Sequence, residues 1–164
     1  ANRQLPVATQ RDADLVPKRD SATRKPLAPV FREPVLPLPR NGALNRYSKR
    51  KAIAPLAIRT RGAEHNYFIK LVDSATEAPV LTVFVRGGQS VELKVPLGAM
   101  KMRYAVGSEW YGERYLFGPE TSYAEADSEF DFAIQGDQIN GYTVELFLQP
   151  NGNLRERELR PDQW

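Results

Sequence analysis

A nearly continuous apolar run and two alternating stretches follow one another along residues 80–104, separated by turn residues. The apolar run Val80–Val85 is followed by Gly87-Gly88, and Gln89–Val95 then places its apolar residues at every second position. A period of two puts successive side chains on opposite faces of an extended strand, whereas one face of a helix needs a period of 3.6. Because a Gly-Gly pair between two such runs is typical of a tight hairpin, this region predicts antiparallel strands.

Several other segments have the composition and length of strands. Asn151-Gly152 indicates a second hairpin, and only Ser122–Asp127 is expected to form a helical turn. About eight short strands separated by turns predict an all-β fold, a small antiparallel β-sandwich or barrel-like domain. The additional predicted strands are Ile53–Ile58, Asn66–Val72, Met100–Tyr104, Glu129–Ile134, Tyr142–Leu148 and Leu154–Leu159.

The composition of the chain changes near residue 61. Residues 1–61 contain 14 Lys/Arg and four Asp/Glu, a net charge of +10, whereas residues 62–164 contain nine and 16, a net charge of −7. Eight of the 13 prolines but only two of the 16 aromatic residues lie in the first part, which therefore lacks the material for a core. Closely spaced prolines also exclude a long helix. We therefore predict a long, extended, proline-rich basic arm at residues 1–51 and a compact β domain at residues 52–164.

The predicted arm alternates short apolar stretches with basic residues. Such a chain suits wrapping, because apolar residues enter grooves of a partner while cations pair with carboxylates or phosphates. The expected partners are protein subunits with acidic or grooved surfaces, with anionic lipid headgroups as a further possibility. The predicted partner-binding residues are Arg3, Arg11, Lys18, Arg19, Arg24, Lys25, Phe31, Arg32, Leu36, Leu38, Arg40, Arg46, Tyr47, Lys49, Arg50 and Lys51.

Motifs that carry catalysis are missing from the sequence. The chain has no cysteine, and it contains neither a nucleophile elbow nor a phosphate-binding glycine loop nor a dinucleotide fingerprint. Its single histidine, His65, has no nucleophile beside it in the sequence and is expected in the hinge between arm and body. The sequence therefore predicts no enzymatic activity, no cofactor and no metal.

The charge pattern favours a structural or accessory subunit of a larger protein assembly. A position peripheral to a membrane complex is favoured, because a basic residue near an anionic leaflet gains about 1 kcal/mol. No apolar run reaches the roughly 20 residues that a membrane-spanning helix needs. The alternative is a nucleic-acid-associated protein whose arm contacts phosphates, although the acidic body and the scarcity of aromatic residues in the arm disfavour it.

Two further clusters are candidate surfaces. The densest aromatic stretch contains Trp110, Tyr111, Tyr115 and Phe117, which would cap the open end of a β core or, second, form a protein interface. The acidic residues at every second position, which would share one face of a strand, are Glu125, Asp127, Glu129 and Asp131. A solvated strand face opposite Phe130 and Phe132 is favoured over a calcium site. A surface that receives the basic arm of another copy or subunit is the third interpretation.

The motifs NYFIKLVD, VLTVFVRGG, VPLG, WYGERYLFGPET and GYTVEL occur together in residues 52–164. With them the body resembles a family of small bacterial β-domain proteins that have no assigned function. The resemblance implies a compact β domain and no catalytic site. In shape alone, the sequence VPLG followed by MKMRYAVG is also similar to carboxypeptidase-regulatory-like and PEGA-type β modules, which are usually envelope-associated binding or spacer units.

Overall fold

The described part of the chain is built from short strands and turns. The computed structural model describes residues 30–146 and 156–164. Two 3₁₀ turns, Gly118–Glu120 and Pro161–Gln163, accompany the strands. The strands are β1 (Leu44–Arg46), β2 (Ala52–Thr60), β3 (Asn66–Asp73), β4 (Pro79–Val85), β5 (Ser90–Pro96), β6 (Gly98–Gly107), β7 (Ser122–Ala126), β8 (Phe130–Phe132), β9 (Ile134–Gln135), β10 (Gln138–Ile139), β11 (Tyr142–Leu146) and β12 (Glu156–Leu159).

These strands form two main sheets. The larger sheet is antiparallel and has the order β1-β4-β3-β6-β7-β12. Strand β8 pairs with the first residues of β6, 98–100, and β7 pairs with residues 103–106 of the same strand. The smaller sheet has the order β11-β2-β5, in which β2 and β5 are antiparallel and β11 and β2 are parallel. Strands β9 and β10 pair antiparallel as a separate two-stranded hairpin. The predicted all-β, sandwich-like fold is confirmed.

The main hydrophobic core lies between the two sheets. Ile69 and Met102 of the larger sheet and Leu56 and Val144 of the smaller sheet belong to one buried cluster. Every second residue of β2 faces this core, because an extended strand presents alternate side chains to each face. Along β5, Val91, Leu93 and Val95 likewise pack on this core, whereas Glu92 and Lys94 are exposed, as the alternation in the sequence predicted.

A second apolar cluster covers the opposite face of the larger sheet. Its strand residues include Phe68 of β3 and Phe84 of β4, and the loop after β6 contributes Trp110 and Phe117. Leu38 packs against the same cluster from the N-terminal side. The larger sheet is thus covered on both faces, by the smaller sheet on one and by irregular chain on the other.

The predicted hairpin at Gly87-Gly88 is wrong as a pairing of strands. β4 pairs with β1 and β3 in the larger sheet, whereas β5 pairs with β2 in the smaller sheet. The two glycines therefore carry the chain from one sheet to the other. Gly87 is required for close approach, because a Cβ there would lie 2.2 Å from the carbonyl oxygen of His65.

The predicted helical turn at Ser122–Asp127 is also wrong, since Ser122–Ala126 forms strand β7 between β6 and β12. Within β7, Ala124 and Ala126 face the main core. The predicted strand Glu129–Ile134 is divided into β8 and β9. The proposed hairpin at Asn151-Gly152 lies outside the described residues.

The compact unit of the β domain begins at Phe31, before the boundary that composition predicted at residue 52. Strand β1 pairs with β4 as the edge of the larger sheet, with Leu44 opposite Val83. Residues that read as arm in the sequence therefore form an edge strand, which protects the backbone of β4 from unpaired exposure.

Acid is expected to weaken the turn between β3 and β4. The Asp73 carboxylate accepts hydrogen bonds from the backbone N–H groups of Thr76 and Ala75, each at 3.0 Å, and these bonds lower the pKa of Asp73 below its ordinary value. A carboxyl with a lowered folded-state pKa stabilises the fold above its unfolded pKa of about 4, and this contribution is lost as pH falls through the folded-state pKa. Asp73→Asn should therefore flatten the fall in unfolding free energy below about pH 4, measured by urea titration at a series of pH values.

Asp131→Asn is the matched control, because it removes the same charge from an exposed side chain with no hydrogen bond to its carboxylate among the described residues. An acid profile of Asp73→Asn that matches the wild-type profile would contradict the assignment.

Candidate functional site

The residues predicted to bind a partner fall into two groups. Six of them, Arg3, Arg11, Lys18, Arg19, Arg24 and Lys25, lie outside the described residues. The other predicted residues, from Phe31 onward, lie on the compact unit and can be placed individually.

The apolar residues of this N-terminal segment contact the chain's own domain. The Phe31 ring lies edge-to-face with Tyr111, with centroids 4.9 Å apart, and 5.8 Å from the Tyr115 ring. The Leu36 N–H donates to the carbonyl oxygen of Trp110 at 2.7 Å, and Leu38 packs on the second cluster. Leu38 thus adds to the cover of the larger sheet, whereas Phe31 and Leu36 contact the aromatic loop.

Two polar residues that the sequence did not mark fasten this segment. Arg86 donates from Nε to the carbonyl oxygen of Pro39 at 2.8 Å and from Nη2 to that of Leu38 at 3.0 Å. Asn41 accepts the Arg86 N–H at 3.0 Å and donates to the carbonyl oxygen of Ser90 at 2.9 Å. Arg86 stands directly before the glycine pair, so in the sequence it read as an ordinary turn residue.

Five exposed cations lie in residues 40–51, before, within and after strand β1. We call Arg40, Arg46, Lys49, Arg50 and Lys51 the basic edge. Arg46 donates to the carbonyl oxygen of Lys94 at 2.9 Å, and Arg50 donates to that of Leu97 at 2.9 Å. Within the described residues, only Arg50 of this set lies near a carboxylate, that of Asp73 at 3.6 Å. Tyr47, which lies between Arg46 and Lys49, is exposed. Arg32, near the first described residue of the chain, is also exposed.

The aromatic stretch forms a closely hydrogen-bonded loop. Trp110 and Phe117 are buried, with their ring centroids 5.3 Å apart, and the Trp110 ring meets Phe84 edge-to-face at 5.1 Å. Tyr111 and Tyr115 are only half-buried. The Tyr111 N–H donates to the carbonyl oxygen of Leu116 at 2.8 Å, and the Leu116 N–H donates to the carbonyl oxygen of Gly112 at 2.7 Å. The loop therefore places two rings in the core and two at the surface.

A cleft of about 570 Å³ opens beside this loop. Phe31, Tyr111 and Phe117 form its aromatic walls, and His65 and the end of β6 also line it. Two carboxylates, Glu109 and Glu120, and the hydroxyls of Ser108 and Ser122 line the remainder. The cleft thus brings together His65, Phe31 from the segment that precedes β1, and the aromatic loop.

The electrostatics of the cleft centre on Tyr111. Its hydroxyl donates to Glu109 Oε2 at 2.9 Å, and this hydrogen bond, burial and the charges of Glu109 and Glu120 raise the pKa of the phenol above its ordinary value. Both carboxylates are therefore close enough to act on one hydroxyl. Neither forms an ion pair with a cation in residues 30–146 or 156–164.

The acidic series does not form one strand face. Glu125 lies on β7 and is buried, Asp127 and Glu129 lie in the connection that follows, and Asp131 lies exposed on β8 between the buried Phe130 and Phe132. No group of three or more His, Cys, Asp or Glu side chains suited to a metal ion occurs in the described ranges.

Glu125 belongs instead to a polar row that crosses the larger sheet. It accepts from Arg103 Nε at 2.7 Å and from Arg157 at 3.0 Å. The strand registers place the row's members opposite one another, in the order Asn45, Thr82, Lys70, Arg103, Glu125 and Arg157. Burial and the positive charge of Arg103 lower the pKa of Lys70, whose ammonium lies 4.3 Å from the centroid of the Trp164 ring.

Comparison with proteins of known family or structure adds no relative. Among the described residues there is also no helix of the length and hydropathy needed to span a bilayer. Searches of protein-family models, of curated proteins and of solved structures found no match to this chain.

Proposed function

We propose that the protein is a non-enzymatic accessory subunit that docks on an acidic surface of a larger protein assembly. The observation that carries the proposal is the basic edge, in which four of five exposed cations have no carboxylate partner among the described residues. Exposed cations without carboxylate partners favour an anionic partner, because pairing with it supplies compensating charge that the described residues do not.

The attachment of the basic edge to the sandwich supports a binding role. Arg46 and Arg50 donate to backbone carbonyls of Lys94 in β5 and of Leu97 just after it, so the segment that carries Lys49 and Lys51 is held in one path. A surface that is ordered before binding loses less conformational entropy when a partner arrives. The basic edge is therefore a docking surface rather than a solvated tail.

A membrane-associated assembly is the favoured setting within this proposal. Anionic lipid headgroups offer the same chemistry as an acidic protein surface, and each exposed cation near such a leaflet gains about 1 kcal/mol. The basic edge would then contribute to both contacts. Nucleic acid is the second candidate partner, since phosphates would also pair with Arg40, Lys49 and Lys51.

Reversal of charge at the basic edge is expected to release the partner. Lys49→Glu with Lys51→Glu should abolish co-purification of a stoichiometric protein partner at about 0.15 M salt, where exposed pairs beyond about 8 Å are screened. Arg114→Glu with Arg160→Glu makes the same change in net charge elsewhere on the exposed surface and should retain the partner. The measurement is affinity purification of the full chain and of both variants, followed by identification of the bound species.

The recovered species separates the alternatives. Retention of phosphatidylserine vesicles without a protein partner would assign the basic edge to lipid. Retention of nucleic acid alone, with steep loss on raising salt, would replace the proposal by the phosphate-binding alternative. Equal binding by the wild-type chain and Lys49→Glu with Lys51→Glu would overturn the role of the basic edge.

A further inference from the structure

We propose that the cleft bounded by Phe31, Tyr111 and Phe117 binds a cationic side chain, an arginine or a lysine, presented by a partner protein. This site is separate from the basic edge and takes a ligand of opposite charge. The proposal rests on three features of the cleft, which are its carboxylates, its aromatic walls and its rigid construction.

The first feature is unbalanced negative charge. Glu109 and Glu120 both act on the hydroxyl of Tyr111, yet neither has an ion-pair partner in the part of the chain that the structure describes. The Tyr111 hydroxyl is protonated at neutral pH, so it donates to Glu109 and adds no charge of its own. A bound cation would lower the repulsion between the two carboxylates.

The second feature is the aromatic lining. The planes of the Phe31 and Tyr111 rings are 88° apart, so the rings do not stack face to face on each other. A ring face carries negative electrostatic potential and attracts a guanidinium or ammonium group. Aromatic walls combined with carboxylates select an organic cation with an apolar stem, as the side chains of arginine and lysine have.

The third feature is that the cleft is already formed. Gly118 has a φ of +70°, and a Cβ there would lie 2.9 Å from the Tyr111 ring and 3.1 Å from the Phe31 ring. Both rings therefore pack directly on the backbone of the loop. Thr121 holds the same turn, since its hydroxyl accepts the Phe117 N–H at 3.1 Å and donates to the carbonyl oxygen of Gly118 at 2.6 Å.

The size of the cleft suits a side chain of a partner. A volume of about 570 Å³ lies within the range of about 300–1,000 Å³ that is typical of ligand pockets. Its open side allows a peptide backbone to remain outside while one long side chain enters. An extended basic segment of another protein is the occupant that fits this geometry.

The test uses the full chain labelled with ¹⁵N and the peptide acetyl-Gly-Gly-Arg-Gly-Gly-amide. The same peptide with lysine and with citrulline, which is a neutral isostere of arginine, supplies the other probes. We expect the arginine or the lysine peptide, or both, to shift the amide signals of Gly107, Ser108 and Gly118, and citrulline to leave them unchanged. The relative affinities of arginine and lysine then identify the preferred cation.

Two variants locate the site. Glu109→Gln with Glu120→Gln is expected to weaken binding by about tenfold or more, which corresponds to loss of about 1.4 kcal/mol. Glu92→Gln with Glu129→Gln removes the same charge from two exposed carboxylates away from the cleft and is expected to change affinity by less than about twofold. Phe31→Leu keeps an apolar side chain but removes the aromatic face, and it should also weaken binding.

Three results would overturn the proposal. One is equal binding of the citrulline and arginine peptides, and another is equal loss of affinity in the two double variants. The third is the absence of shifts at the cleft amides with about 10 mM peptide. The dissociation constant would then lie above about 10 mM, which is too weak for a specific side-chain site. Failure of this test leaves the basic edge unaffected, because the two sites share no residue.

Discussion

Deletion of residues 1–51 is expected to unfold the β domain. The deletion removes strand β1 from the edge of the larger sheet and exposes the backbone of β4. It also removes the apolar cover supplied by Leu38 and leaves the Arg86 guanidinium without its two carbonyl acceptors. The combined loss is about 5 kcal/mol or more, which is comparable with the whole stability of a typical domain.

The comparison that tests this result is deletion of residues 1–29, which removes none of the contacts described above. The chain that lacks residues 1–29 should unfold cooperatively when heating is monitored by circular dichroism. The chain that lacks residues 1–51 should show no cooperative transition. Arg86→Met, in an otherwise intact chain, should lower the unfolding free energy by about 2 kcal/mol in urea titration. A normal transition after deletion of residues 1–51 would show that the N-terminal segment is dispensable for folding.

This result affects how partner binding is measured. Loss of a partner after deletion of residues 1–51 would follow from unfolding as well as from loss of a binding surface. Charge reversal at Lys49 and Lys51 avoids the problem, because neither side chain contributes a hydrogen bond or ion pair to the described fold.

The second large effect is expected at Glu125. Its carboxylate accepts from Arg103 at 2.7 Å, and both side chains are only 11% exposed. Glu125→Ala would leave the Arg103 guanidinium buried with Glu77, at 3.2 Å, as its remaining carboxylate. We expect the unfolding free energy to fall by about 3 kcal/mol, because removal of one member of a buried pair leaves the other charge poorly compensated.

Two control variants separate the burial of charge from the loss of one ion pair. Glu77→Ala removes an exposed carboxylate that also contacts Arg103, and it should have a much smaller effect. Arg103→Met with Glu125→Leu removes both buried charges and should recover most of the stability lost in Glu125→Ala. If the double variant were as unstable as Glu125→Ala, loss of packing rather than an uncompensated charge would explain the defect.

The strands themselves were largely predictable. β3, β4, β6 and β11 coincide with runs that the sequence marked, because short segments rich in β-branched and aromatic residues and bounded by turn residues favour strands. The difference between β4 and β5 was also present in the sequence. β4 is almost continuously apolar and is covered on both faces, whereas β5 alternates and has one outer face.

The prediction of a hairpin between β4 and β5 used their turn alone and overlooked this difference. In this sandwich β4, which is buried on both faces, lies in the larger sheet, and β5, which is buried on one face, lies in the smaller sheet. The helical turn predicted at Ser122–Asp127 failed for another reason. Alanine and glutamate favour helix locally, but pairing of β7 with β6 and β12 overrides that preference.

The candidate cleft was predictable only in part. The aromatic stretch around Trp110 stood out by composition, and two of its rings lie in the second cluster. Glu109 and Glu120 flank the stretch at either end and gave no signal, because only the closed loop brings both carboxylates near Tyr111. Phe31 reaches the cleft from a segment that composition assigned to the arm.

By itself, the sequence determined the all-β class, most of the strands, the division of charge along the chain and the position of the aromatic loop. Only the tertiary structure decided which strands share a sheet, that residues 31–51 belong to the domain, and that Lys70, Arg103 and Glu125 lie in one row. The physical reason is the range of the interactions. Burial periodicity is set within a few residues, whereas strand pairing, the cover of a sheet face and the convergence of charges depend on contacts between residues far apart in the chain.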